Sequence, residues 1–149
     1  MSATNPDTGV LAVQAICADL VVRSAGYTDS HDHEAFAGLF APDARLTRPG
    51  GEPLVGREAI LASYRAKPAE RLTRHLVTNT RFTELSGDSA SAISYVLLWS
   101  SSTAEPIEAF GRKAAPRQVL GEFHDRFAKT GQGWRIAERR ASFIMYSES

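Results

Sequence analysis

Hydrophobic residues in the first part of the chain recur at helical spacing. Between Val10 and Tyr27 apolar side chains return every three or four positions, and polar residues such as Gln14 and Arg23 fall between them. This pattern predicts a long amphipathic helix, which Gly26 allows the chain to leave. Residues 1–8 lack the pattern, and we expect a loose tail there.

Two shorter helices are predicted in the next part of the chain. The first is capped by Asp32 and ended by Pro42, because proline disfavours helix at the residue before it. The second opens at Gly56 and ends at Pro68. The apolar faces of these two helices carry Phe36, Leu39 and Phe40, and Ile60, Leu61 and Tyr64.

After Pro68 the pattern changes from helical spacing to β-branched and aromatic segments with glycine-containing turns. Four long antiparallel strands are predicted, at Leu72 to Leu85, Ser89 to Ser101, Gln118 to Lys129 and Trp134 to Tyr146. A small hairpin of residues 45–48 and 52–55 precedes them. Three helices followed by long strands indicate one α+β domain, residues 1–149, in which the helices cover one face of a curved sheet. Such a fold can enclose a pocket.

Composition excludes several classes of protein. The chain has 149 residues with 17 Lys plus Arg and 17 Asp plus Glu, so it lacks the positive charge that favours nucleic acid. Because Cys17 is the single cysteine, an internal disulfide and a multi-cysteine zinc site are excluded. Cys17 lies on the apolar stripe of the first helix, so it is not a candidate nucleophile. Apolar runs such as Tyr95 to Trp99 are far shorter than a membrane span, and no leader is recognisable. We expect a cytoplasmic protein without nucleic-acid or membrane partners.

Two strand faces carry candidate chemistry. On the strand that follows the third predicted helix, the alternation of side chains places His75 and Asn79 on one face. On the next strand Tyr95 and Trp99 share an apolar, aromatic face with Ile93, which is typical of a small-molecule cavity and equally of a plain hydrophobic core. The titratable His75 favours the cavity.

Polar clusters elsewhere have simpler explanations. The corner Asp29-Ser30-His31-Asp32-His33 is rich in possible ligands, but helix capping by Asp32 is favoured over metal binding, and no second ligand motif supports a metal. Phosphate-binding loops, a G-x-S-x-G elbow and an H-E-x-x-H helix are missing from the sequence. The arginines are expected to be solvated or paired rather than substrate clamps: Arg45, Arg48, Arg74, Arg81, Arg139 and Arg140.

Several short motifs in order resemble the SnoaL-like branch of the nuclear transport factor 2-like superfamily. They are Tyr27-x-Asp29-x-x-Asp32, Leu39-Phe40-Ala41-Pro42-Asp43-Ala44, Gly56-Arg57-Glu58-Ala59-Ile60, the strand Thr73 to Asn79 and the strand Gly133 to Arg140. The resemblance implies a cone-shaped curved antiparallel sheet wrapped around a long helix, with a deep pocket. It also implies scytalone dehydratase-like or polyketide cyclase-like chemistry, with neither metal nor organic cofactor.

In the scytalone dehydratase-like members an Asp after the first helix and a His on the strand after the third helix face one pocket. Asp29 and His75 match those positions, which implies that Asp29 orients His75 as a general acid and base. A second catalytic histidine has no clear counterpart. We expect the substrate-binding residues to be Tyr27, Tyr64, Asn79, Tyr95 and Trp99.

Two functions are favoured at this point, ahead of a hydrolase or another chemistry of the same fold. One is a cofactor-independent lyase or isomerase that acts on a small, largely apolar cyclic or polyketide-like molecule. The other is a non-catalytic binding or structural module that resembles the small subunit of ring-hydroxylating dioxygenases. An apolar cage around His75 would favour the module, and Asp29 within hydrogen-bond reach would favour the enzyme. A homodimer is expected through a face of the last strand that carries Ile136, Ile144 and Tyr146.

Overall fold

Three helices form one layer of the molecule. The computed structural model describes residues 8–149, and the predicted tail at residues 1–7 lies outside them. Helix α1 spans Thr8–Asp29, α2 spans His33–Gly38 and α3 spans Arg57–Arg65. Thr8, which was assigned to the tail, already belongs to α1. The first helix also passes through Gly26 without a break and ends at Asp29, two residues beyond the predicted pattern.

A six-stranded sheet forms the other layer. Its strands are β1 (Phe40–Thr47), β2 (Leu54–Val55), β3 (Arg71–Leu85), β4 (Ser89–Ser102), β5 (Arg117–Thr130) and β6 (Gly133–Glu148). Their order is β2-β1-β6-β5-β4-β3. The predicted hairpin and the antiparallel pairing of the four long strands are confirmed. β1 and β6, however, pair in parallel, so the sheet is mixed rather than wholly antiparallel, and it does not close.

Helix α1 packs against the sheet through one side. Cys17 and Val21 on that side are fully buried, and α1 makes most of its contacts with β3. By length and composition alone, this helix could also cross a membrane. No segment of that kind was expected from the sequence. The last residue of α1, Asp29, accepts a hydrogen bond from the backbone of β3.

The second helix is shorter than predicted because the sheet takes over its last residues. Asp32 caps it as expected, with Oδ1 accepting from the backbone N–H of Ala35 at 3.2 Å. Helix α2 ends at Gly38, and Phe40 and Pro42 belong to β1 instead. Phe40 is fully buried between the helices and the sheet, where its ring lies 5.2 Å from that of Phe36.

Irregularities in the pairing decide which side chains face inward. The register of β3 on β4 shifts between Thr78 and Arg81, and Asn79 there has a positive φ of 54°. A β-bulge of this kind inserts one residue and reverses the alternation that follows. The register of β5 on β6 shifts twice in the same way, next to Gly121 and next to Phe127. At Gly121 the backbone of β6 approaches so closely that a Cβ would lie 2.6 Å from the carbonyl oxygen of Ser142.

Candidate functional site

A cavity of about 310 Å³ lies between the helices and the inner face of the sheet. Its inner end is formed by buried side chains, among them Phe36 of α2, Leu46 of β1 and Val96 of β4. Its outer end reaches solvent beside the exposed residues Arg71 and Phe143. Small-molecule sites span roughly 300–1,000 Å³, so this cavity suits a small ligand.

Asp29 and His75 meet at the wall of this cavity. The imidazole Nδ1 of His75 lies 2.6 Å from Oδ1 of Asp29, and the backbone N–H of His75 donates to Oδ2 at 2.9 Å. The hydroxyl of Thr73 donates to Oδ1 at 2.8 Å. The carboxylate at the end of α1 therefore accepts three hydrogen bonds from alternate residues of β3. These contacts hold the imidazole side chain, which is 18% exposed, against the cavity.

The three hydrogen bonds determine the charge of Asp29 and the tautomer of His75. Burial tends to raise the pKa of Asp29, but the hydrogen bonds from His75 and Thr73 outweigh it, and the pKa lies below its ordinary value. An ionised carboxylate only accepts hydrogen bonds, so the contact assigns a proton to Nδ1 of His75. Nε2 has no hydrogen-bond partner among residues 8–149 and is the nitrogen available to a ligand.

Tyr64, one of the predicted binding residues, does line the cavity. Its ring stacks on Phe36 with 4.2 Å between centroids, and only 6% of the residue is exposed. Burial raises the pKa of its hydroxyl, although the nearby Arg139 and Arg48 pull in the opposite direction. The hydroxyl thus stays protonated at neutral pH and can donate a hydrogen bond to a ligand oxygen.

Arg139 was expected to be solvated or paired, and it is paired, but in the interior rather than at the surface. It is 3% exposed, and its guanidinium donates two hydrogen bonds to Asp125, at 2.7 and 3.0 Å, and a third to the hydroxyl of Ser24 at 2.9 Å. It also lies 4.0 Å from the centroid of the Phe123 ring. This buried fork links β5, β6 and α1 and forms part of the cavity wall.

Four of the predicted binding residues lie outside the cavity. Tyr95 and Trp99 are 37% and 43% exposed on the outer face of the sheet, because Ala92, Ser94 and Val96 occupy the inner face of β4. Asn79 lies on the bulge of β3 and accepts a hydrogen bond from the exposed Thr78. Tyr27 packs against the edge of the core, where Arg23 donates to its hydroxyl.

The corner between α1 and α2 contributes two histidines to the cavity wall. His31, with a positive φ of 60°, places its Nε2 2.8 Å from the carbonyl oxygen of Arg71. His33 has a buried Nδ1 with no hydrogen-bond partner in the described part of the chain, and burial and the adjacent His31 lower the pKa of His33. Among residues 8–149 no group of three or more His, Cys, Asp or Glu side chains is placed to hold a metal ion.

Three cavity residues at the outer end were not predicted as site residues: Arg48, Lys67 and Arg71. Arg48 was expected to be a surface arginine, and the other two carried no signal in the sequence. Lys67 lies in the turn after α3, next to the proline that ends that helix, and only the packing of the turn onto Tyr64 brings it inward.

Comparison with solved structures shows the same fold in other proteins. A scytalone dehydratase-like protein from Novosphingobium aromaticivorans is 19% identical, with a TM-score of 0.80 over 97% of this chain and 92% of that chain. The hexachlorocyclohexane dehydrochlorinase LinA-type3 from Novosphingobium barchaimii is 18% identical, with a TM-score of 0.79 over 97% and 94%. A protein of unknown function from Mycobacterium tuberculosis is 28% identical, with a TM-score of 0.74 over 96% and 78%.

Sequence comparison assigns the family. No curated protein is detectably similar in sequence. The SnoaL-like domain family, in contrast, matches residues 10–140, which is most of the chain. With the α+β fold and the solved relatives, this match confirms the resemblance found in the sequence motifs. The chain belongs to the SnoaL-like family of the nuclear transport factor 2-like superfamily.

Proposed function

We propose that the protein is a cofactor-independent lyase or isomerase that acts on a small, largely apolar cyclic or polyketide-like molecule. The observation that carries the proposal is the 2.6 Å contact between Nδ1 of His75 and Asp29 at the wall of the cavity. A histidine held in this way presents a basic Nε2 to a ligand, and the carboxylate behind it stabilises the imidazolium that forms. A purely apolar cage would instead have favoured the binding-module hypothesis.

In the proposed elimination, Nε2 of His75 takes a proton from a carbon next to an electron-withdrawing group. The electron pair of the broken C–H bond forms the new double bond, and the leaving group departs with its own bonding pair. If the leaving group is hydroxide, the imidazolium protonates it and water leaves. In an isomerisation the imidazolium returns the proton to a different carbon. Tyr64 is the candidate donor to the oxygen on which negative charge develops.

Two relatives support this class of reaction by their names. A dehydratase removes water and a dehydrochlorinase removes hydrogen chloride, and both processes require a base that accepts a proton from carbon. Identities of 18–19% establish the common fold, so the assignment of an elimination to this chain depends on the Asp29–His75 pair.

The proposal includes expectations about partners. The ligand is a small molecule, nucleic acid is disfavoured by a net charge of zero, and the protein is cytoplasmic. Self-association as a homodimer is supported by an apolar row across the outer face of the sheet, formed by paired residues of β3 to β6: Leu76, Leu97, Leu120 and Met145. Of the residues expected at the interface, Ile136 is buried in the core, whereas Ile144 and Tyr146 are exposed.

Proton abstraction can be tested before the natural substrate is known. We expect the protein to catalyse hydrogen–deuterium exchange in D2O next to the carbonyl of some members of a panel of cyclic ketones and β-hydroxyketones, read by proton NMR. His75→Gln keeps a polar side chain without a base and should slow the exchange by roughly 10²–10⁴-fold. His124→Gln is the matched control, since His124 lies outside the cavity and pairs with Glu122.

Two results would count against the proposal. If His75→Gln retained full exchange, the base would be another group. If panel members bound to the protein with no exchange and no turnover, the binding-module hypothesis would be favoured.

A further inference from the structure

Three cations line the outer end of the cavity without a carboxylate partner. Arg48 follows β1, Lys67 lies between α3 and β3, and Arg71 opens β3, so different parts of the chain bring them together. None of the three forms an ion pair with any of residues 8–149. Arg48 donates one hydrogen bond to the hydroxyl of Ser63. We call these three residues the cationic cluster.

Nearby acidic side chains are engaged elsewhere. Asp32 caps α2, and Glu34 forms an ion pair with Arg65 on the surface. Asp29 accepts its hydrogen bonds from β3. Glu122, which also lies on the cavity wall, is 2.9 Å from Nε2 of His124. Within residues 8–149, no carboxylate lies within ion-pair distance of the cationic cluster.

The surroundings of Lys67 reflect the lack of a nearby negative charge. Its ammonium lies 3.8 Å from the centroid of the Tyr64 ring, a cation–π contact that stabilises the charge in part. Burial, with repulsion from Arg48 and Arg71 acting in the same direction, lowers the pKa of Lys67 to about 8. Unpaired cations held together in a partly buried site are unfavourable for folding, which indicates that a ligand supplies the missing negative charge.

The position of the cluster relative to His75 defines what it can bind. Arg71, Thr73 and His75 are alternate residues of β3 in a stretch without a register shift, so they lie on the same face of the sheet. Four residues of strand separate the Cα atoms of Arg71 and His75 by roughly 13 Å. Both side chains line the same cavity, and the space between them suits one small ring system. Apolar residues such as Phe36 and Val96 form the wall beyond.

We propose that the substrate is an organic acid, whose carboxylate is bound by Arg48, Lys67 and Arg71 while its ring lies in the apolar part of the cavity. This inference depends on the proposed function only in naming that ligand a substrate. The carboxylate site itself needs no catalysis. It narrows the substrate class from any small cyclic molecule to a ring-bearing monoanion whose reacting carbon faces His75.

The test uses 2-naphthoate and its uncharged amide, 2-naphthamide, as matched probes in calorimetric titrations at pH 7. We expect the naphthoate to bind at least tenfold more tightly than the amide, a difference of about 1.4 kcal/mol. Lys67→Met should remove most of this preference and leave the affinity for the amide unchanged. Lys67→Arg should retain it. Lys113→Met on the exposed loop is the control and should change neither affinity.

The pH dependence of naphthoate affinity tests whether Lys67 binds the carboxylate. Because Lys67 is protonated below about pH 8, the affinity for naphthoate should be full at pH 7 and fall as the pH rises above 8. In Lys67→Arg this fall should disappear, since arginine keeps its charge. The Lys67→Arg comparison separates Lys67 from the other ionisable or charged groups around it, which are His31, His33, Tyr64, Arg48, Arg65 and Arg71.

The outcomes for this site and for catalysis are separable. Naphthoate binding is read without turnover, so a wild-type protein that prefers the acid to the amide and catalyses nothing would refute the proposed function alone. Equal affinities for acid and amide, or an unchanged preference in Lys67→Met, would overturn the carboxylate site. Tighter binding of inorganic phosphate than of naphthoate would also overturn it, in favour of a phosphate site.

Discussion

Replacement of Asp29 by asparagine tests the geometry of the site directly. In the wild type, Oδ2 accepts from the backbone N–H of His75, and Oδ1 accepts from Nδ1 of His75 and from Thr73. An amide has one oxygen and one NH2 group. It satisfies all three partners only if its oxygen faces the backbone N–H and its nitrogen faces the ring and the hydroxyl. That arrangement requires an unprotonated Nδ1, so the proton of His75 moves to Nε2.

The expected effect of Asp29→Asn on stability follows from these contacts. Each of the three hydrogen bonds changes from a charge-assisted to a neutral one, which lowers its net contribution by about 1 kcal/mol. Relief from burying a charge offsets part of this loss, so we expect destabilisation by about 1–3 kcal/mol. At roughly 2–4 °C per kcal/mol for a chain of this size, Tm should fall by about 2–12 °C. Asp19→Asn, which alters an exposed residue, should change stability by less than about 0.5 kcal/mol.

The pH dependence of the same variant has a defined sign. The pKa of Asp29 is lower in the folded protein than its ordinary value, so its ionised form favours folding at and above that value. The stability difference between wild type and Asp29→Asn should therefore be largest near neutral pH. It should shrink as the pH falls below about 4 and through the lowered pKa. Urea unfolding followed by fluorescence of the buried Trp134 measures this difference.

Histidine nitrogen NMR provides the decisive assay. In its neutral form, the wild-type imidazole of His75 should show the Nδ1-protonated tautomer, and that of Asp29→Asn should show the Nε2-protonated one. Exchange activity should fall with the change in tautomer, because Nε2 then carries a proton and cannot act as the base. An unchanged tautomer in the variant, or an equal stability difference at pH 3 and pH 7, would refute the reasoning.

Three further expectations follow from other parts of the molecule. Asp125→Asn removes the charge that compensates Arg139 and should destabilise the protein by roughly 3–5 kcal/mol in urea unfolding, whereas replacement of both residues by apolar ones should recover much of the loss. Burial raises the pKa of Cys17 to about 11, so the folded protein at pH 8 should react with a thiol reagent far more slowly than the unfolded protein. Leu97→Glu should shift light-scattering mass from dimer to monomer, and a monomeric wild type would contradict the assembly.

The sequence predicts the Asp29–His75 contact because both residues match motifs of the family, although 46 positions separate them. Alternation along β4 correctly places Tyr95 and Trp99 on one face, but alternation by itself does not say which face is inner. Small side chains such as Ala92 decide this, because the helices pack against that side of the strand. Aromatic content was thus a misleading guide to the cavity wall.

The inward orientation of Arg139 depends on a single-residue bulge, which the periodicity of the sequence does not predict. Counted without interruption from the hairpin pair of Thr130 and Gly133, the residue opposite Asp125 would be Glu138, and two like charges would meet in the core. The register shift beside Phe127 moves the pairing by one residue, and Arg139 then lies opposite Asp125 and faces inward. The bulge is therefore coupled to the charge pattern of β6: either feature without the other would bury an unpaired charge, a cost of several kcal/mol. The same coupling explains why Arg139, within a run of charged residues that resembles a solvated surface in the sequence, forms part of the cavity wall.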